Sequence, residues 1–107
     1  FYHVLKVNPN HFQSHLSLGL YYSNNPMGKN DNFKAIQSFQ KAIEINPKSI
    51  LAYCYAAQLY AKIDLRRYAK ENFNQCLNLK VNNDIDYEPI VVYQQKVAKQ
   101  IIRDLNY

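Results

Sequence analysis

The chain is expected to be all-α, with antiparallel helix pairs repeating and stacking into an α-solenoid, and three observations carry that expectation. A spacing of 34 residues recurs: Ala35, Phe39, Ala42 and Pro47 return as Ala69, Phe73, Cys76 and Val81. A fixed period of this size identifies an architecture before any single residue does. Only two Gly and four Pro occur and Thr is absent, which disfavours an all-β fold needing a turn every roughly 8–12 residues. The 107 residues are 48% apolar, the size and content of one ordinary domain with a core.

The period also runs upstream. Phe1, Val4 and Pro9 precede Phe39, Ala42 and Pro47 by 38 residues, and Leu18, Gly19 and Tyr22 precede Ala56, Ala57 and Tyr60 by the same 38. The extra four residues are assigned to a loop within Ser23 to Asn32. One domain over 1–107 is therefore expected, with the end of a preceding repeat in 1–9, a repeat with an inserted loop in 10–47, a repeat in 48–83 and a capping helix in 84–107. The first residue is not Met and falls inside a repeat, so the chain reads as a piece of something longer.

Five helices follow from the apolar spacing and the Pro and Asn punctuation. The first, from about Phe12 to Asn24, follows Asn8-Pro9-Asn10, carries Leu16, Leu18, Leu20, Tyr21 and Tyr22, and stops at Asn24-Asn25-Pro26. Gly28 to Asn32 is read as the continuing loop. The second, from about Phe33 to Ile45, sets Ile36, Phe39, Ala42 and Ile43 on one stripe and is closed by Asn46-Pro47, because a residue before Pro is pushed out of helical geometry.

The third helix runs from about Ser49, a capping residue, to Ile63, with Ala52, Tyr53, Ala56, Ala57, Leu59 and Tyr60 inside. After a short break at Asp64 the fourth runs from about Leu65 to Leu79, with Tyr68, Ala69, Phe73, Cys76 and Leu77 facing its partner. The fifth begins near Pro89, a residue favoured at a first helical position, and Asp84, Asp86 and Glu88 suit its positive end. Its buried stripe is expected to be Ile90, Tyr93, Val97 and Ile101.

No run of roughly 18 apolar residues and no charged-then-apolar start occurs, so neither a membrane span nor a signal peptide is read here. Cys54 and Cys76 are the only cysteines. Cys76 stands at the period partner of Ala42, where a small apolar residue packs, so both are expected to be reduced thiols acting as small hydrophobes. That places the chain in a reducing, intracellular and cytoplasmic setting.

These residues resemble the tetratricopeptide repeat, whose signature sets an aromatic, Leu-Gly and Tyr in the first helix before Ala, Phe, Ala and Pro in the second. Leu18-Gly19, Tyr22, Ala35, Phe39, Ala42 and Pro47 match it in one unit, with His15 where Trp is usual. Tyr53, Ala56-Ala57, Tyr60, Ala69, Phe73 and Cys76 match it in the next, with Val81 in place of Pro. After Asn83 the match fades to Tyr87 and Ile90, with Val91 replacing the small residue, so the last helix is expected to be a cap whose polar face carries Lys96, Lys99 and Arg103.

The resemblance implies a non-enzymatic scaffold or adaptor within a larger multiprotein assembly. It docks a peptide or helix of a protein partner in a concave groove made by the first helix of each pair. It places Gln13, Leu16, Ser17, Leu20 and Asn24, then Leu51, Cys54, Tyr55, Gln58 and Lys62, along that groove. Leu16, Leu20 and Tyr55 occupy slots where relatives that clamp a terminal carboxylate hold polar and basic residues, so the groove suits an apolar segment. Neighbouring helices of the same longer protein are an equally weighted cover for that face.

The alternative is a basic repeat module binding RNA or an acidic protein surface. Net charge is +5, with Lys62, Arg66, Arg67 and Lys70 clustered and Lys96, Lys99 and Arg103 on the last helix. Most of the ten Tyr fall at periodic core positions rather than where bases would stack. His11 and His15 have the spacing of two metal ligands but lack a complete set, so no metal and no cofactor are expected. There is no Gly-rich phosphate loop and no nucleophile elbow, and Asp84, Asp86 and Glu88 read as helix caps rather than acid and base. The chain is not read as an enzyme.

Overall fold

The computed structural model describes residues 12–24, 30–81, 86 and 88–105. Regular structure among them is entirely helical: α1 Phe12–Asn24, α2 Asn30–Ile45, α3 Ile50–Lys62, α4 Arg66–Asn78 and α5 Glu88–Leu105. The chain divides into two compact units, with the boundary in sequence between Pro47 and Lys48.

In the first unit α1 packs on α2. Leu16, Leu18 and Tyr22 from α1 meet Ala35, Phe39 and Ala42 from α2 in its core, the last three lying on one stripe at helical spacing. Gly19 sits against Phe39: a Cβ added there would lie 2.5 Å from two ring carbons. The ring therefore fills the space that the missing side chain leaves. α1 has the expected limits, whereas α2 begins at Asn30, so Asn30 to Asn32 extend the helix instead of the loop. Asn and Asp are frequent at helix starts, so the run Asn30-Asp31-Asn32 serves as a first turn as readily as a loop. At the other end the Asn46 N–H still donates to Ala42 O at 2.9 Å before Pro47 stops the helix.

In the second unit α3 and α4 form a hairpin. Ser49 caps α3, its Oγ accepting from the Ala52 N–H at 3.3 Å. The far end closes with Asp64 N–H donating to Ala61 O at 3.2 Å and Leu65 N–H donating to Tyr60 O at 2.8 Å. That pattern needs a left-handed residue after the cap. Asp64 supplies it at φ 64°, a conformation in which Asp is more tolerable than most side chains.

α5 packs on both members of the hairpin. Its buried residues are Val91 and Ala98, seven apart and so on one face, not the expected stripe. Ile90 is 40% exposed and Tyr93 63% exposed, so the helix is rotated by about one residue from the expected orientation. Two glutamines fix that rotation. Gln94 Oε1 accepts from the Gln58 side chain on α3, and Gln95 Nε2 donates to Cys76 O at the end of α4 at 3.0 Å.

The two units repeat one pattern of burial. Ser14, Leu16, Leu18, Gly19 and Tyr22 are buried in α1, and their period partners Ala52, Cys54, Ala56, Ala57 and Tyr60 are buried in α3. Ala35, Phe39 and Ala42 in α2 correspond in the same way to Ala69, Phe73 and Cys76 in α4.

The expectation of reduced thiols is overturned. Cys54 and Cys76 form a disulfide with their Cα atoms 5.0 Å apart, within the range such a bridge spans. Their period partners are Leu16 and Ala42, both buried, so an apolar pair in the first unit is replaced by a covalent clip in the second. With the bridge formed, the thiol argument for a reducing compartment no longer holds. Among the described residues no helix is long and apolar enough to cross a membrane.

Candidate docking surfaces

The residues expected to line a groove divide by burial. Leu16 and Leu51 are 6% and 7% exposed, and Cys54 is sealed in the disulfide, so these three belong to the core. Their turns face inward because each helix buries a wide stripe, which takes in positions that the repeat pattern would turn toward a partner. On α1, Gln13 is exposed while Ser17 and Leu20 are half-buried. The Asn24 side chain lies outside the described residues. On α3, Tyr55 and Gln58 are half-buried and Lys62 is exposed, with Gln58 already held by Gln94. Outside the core this leaves Gln13, Ser17 and Leu20 on α1 and, in the other unit, Tyr55 and Lys62 on α3.

Tyr55 has the most distinctive environment of this group. Burial pushes its phenol pKa above the ordinary value, and the negative charge of Asp86 pushes it the same way. The hydroxyl therefore stays protonated through the physiological range on a half-exposed ring.

Asp86 also corrects the reading of the acidic run. It is 3% exposed and serves α3 rather than α5. Its Oδ1 accepts from Ser49 Oγ at 2.8 Å, and its Oδ2 accepts from the Ile50 N–H at 2.7 Å. A carboxylate at this end also suits the helix dipole of α3. Glu88 does stand in the first turn of α5, and Asp84 lies outside the described residues.

The basic residues are all exposed, but two of them face carboxylates. Arg66 Nε lies 3.0 Å from Asp64 Oδ1, and Arg67 Nε lies 3.5 Å from Glu71 Oε1. Both pairs are open to water and worth little in stability, yet they offset part of the positive field. Lys70 on α4 and Lys96, Lys99 and Arg103 on α5 point to solvent. His11 lies outside the described residues. Among those described, no group of three or more His, Cys, Asp or Glu is placed to hold a metal ion.

One feature of the first unit escaped the sequence reading. His15, Leu18 and Tyr22 on α1 and Lys34, Gln37, Ser38 and Lys41 on α2 line a cleft of about 270 Å³. Lys34 Nζ stands 5.6 Å from the centre of the Tyr22 ring, a cation–π distance. In the second unit Tyr68, the period partner of Lys34, stacks at 5.5 Å on Tyr60, the partner of Tyr22. The signal was available in the period, since Lys34, Gln37, Ser38 and Lys41 correspond to Tyr68, Glu71, Asn72 and Gln75. The fold tolerates either set.

Compared with known proteins, the chain matches no family model, no curated protein and no solved structure.

Proposed function

We propose that the chain is a helical-repeat scaffold of the tetratricopeptide kind, in which helix pairs stack as a solenoid and a partner peptide or helix docks on the first helix of each pair. It does no chemistry of its own and works as an adaptor within a larger assembly. The observation that carries this reading is the correspondence of burial between the two helix pairs. Gly19 lies against Phe39 in the first pair, and their counterparts Ala57 and Phe73, 38 and 34 residues later, are fully buried in the second. Repeats of this sort bury a continuous core by stacking and leave one face for recognition. Tyr55, half-exposed on α3 with a protonated hydroxyl, is the residue assigned the central contact.

The rival reading, a basic surface for RNA, is weaker because Arg66 and Arg67 already face carboxylates. The two separate in a pull-down from native lysate washed at low and high salt, with and without nuclease. A docked protein partner survives both treatments, whereas contacts through phosphate are lost steeply with salt.

A further inference from the structure

We propose that the cleft between α1 and α2 is a second docking surface, for an extended acidic peptide with two carboxylates three residues apart and an apolar side chain between them. It lies wholly inside the first unit and does not involve Tyr55, so it goes beyond the surface assigned above.

The cleft has a floor and two cationic ends. Leu18 and Tyr22, 4% and 8% exposed, form the floor. Lys34 and Lys41 stand on α2, and none of the described lining residues is acidic. Seven residues separate the two lysines, which sets them about 10 Å apart along the helix. Three residues of peptide in the extended polyproline II conformation span about 9 Å and return to the same face, so two carboxylates at that spacing reach both ammonium groups at once. One of the two residues between them then turns toward Leu18 and Tyr22, where apolar surface is covered.

Lys34 is held in place by the Tyr22 ring, so part of the ordering cost of binding is already met. Lys41 has a weak competitor in Glu44, 3.7 Å away and 74% exposed. An exposed pair of this kind yields readily to a ligand. The basic character is not required by the fold. At the same positions the second unit carries Tyr68, Glu71, Asn72 and Gln75, and its helix pair packs equally well.

The test is fluorescence anisotropy of the whole chain with a labelled ten-residue peptide that carries Asp and Asp three apart and Leu between them. The proposal predicts saturable binding that weakens about tenfold in Lys34→Glu with Lys41→Glu, and about as much when both peptide Asp become Asn. A peptide with Lys in place of Asp should bind the doubly reversed variant better than the native chain, a gain that misfolding would not produce. Tyr55→Ala should leave this peptide's affinity unchanged, which keeps the fate of the Tyr55 surface separate. No binding, equal binding by the reversed variant, or tighter binding of polyuridine RNA to the same two lysines would overturn the proposal.

Discussion

The carboxylate of Asp86 accepts a 2.8 Å hydrogen bond from the Ser49 hydroxyl, joining residues 37 positions apart inside a site 3% exposed to water. Its other oxygen takes the Ile50 N–H, so the segment before α5 supplies the cap at the start of α3. Helix starts leave unpaired donors, and here Asp86 takes one of them, the Ile50 N–H, while holding the Ser49 hydroxyl that takes another, the Ala52 N–H.

Removing that carboxylate should therefore cost more than an ordinary surface cap. Asp86→Ala strands the Ile50 N–H and the Ser49 hydroxyl in a buried place, and a loss of about 2–3 kcal/mol is expected. Asp86→Asn keeps one acceptor and should cost less. Urea melts of the three proteins check the order, and an Asp86→Ala protein as stable as the parent would show that the cap carries no weight.

The disulfide should dominate the stability of the second unit. Closing a loop of about 20 residues is worth roughly 3 kcal/mol in the chain-entropy view. The chain purified without reductant should show no free thiol after denaturation, and reductant should lower its melting temperature. Cys54→Leu with Cys76→Ala rebuilds the apolar pair of the first unit and should recover part of the loss that Cys54→Ala with Cys76→Ala suffers. Two free thiols in the unreduced chain would contradict the bridge.

Gly19→Ala tests the close approach to Phe39. In an exposed helix this change would gain about 1 kcal/mol. Here the new methyl group meets the ring at 2.5 Å, and a cost of about 1–3 kcal/mol is expected instead. Adding Phe39→Leu should relieve part of the strain. A stabilised Gly19→Ala protein would place the ring elsewhere.

Tyr55 gives a pH dependence with a definite sign. Its pKa is raised in the folded chain by burial first and by Asp86 second. A raised pKa contributes stability that is fully present below the unfolded value of about 10 and is lost as pH rises through the higher folded value. Stability measured from pH 9 upward should fall more steeply in the parent than in Tyr55→Phe. Identical profiles would mean that the phenol is no harder to ionise than in the unfolded chain.

Among the described residues the helices and their order were legible because the 34-residue spacing and the Pro and Asn stops act locally. α1 was delimited to the residue, and α3 and α4 to within one at each end. What escaped was set by tertiary contact. Asp86 sits two residues before α5 and looks like its cap, yet its partners are in α3. The face of α5 was misread by one position, because Gln94 and Gln95 orient it through bonds to Gln58 and Cys76 that no periodicity encodes. Cys76 looked like a small apolar residue because its period partner is Ala42. Only the position of Cys54 across the hairpin turns it into half of a bridge. Among the groove residues, the pattern separated first helices from second but not core from surface, so Leu16, Leu51 and Cys54 were counted as contacts although they are buried.

The scaffold reading stands most directly on the affinity of the chain for a protein partner recovered in high salt, compared between the native sequence and Tyr55→Ala by calorimetry. A loss of about tenfold or more is expected for a central aromatic contact, with helicity and melting temperature nearly unchanged. Equal affinity for the two proteins, both folded, would contradict docking on α3.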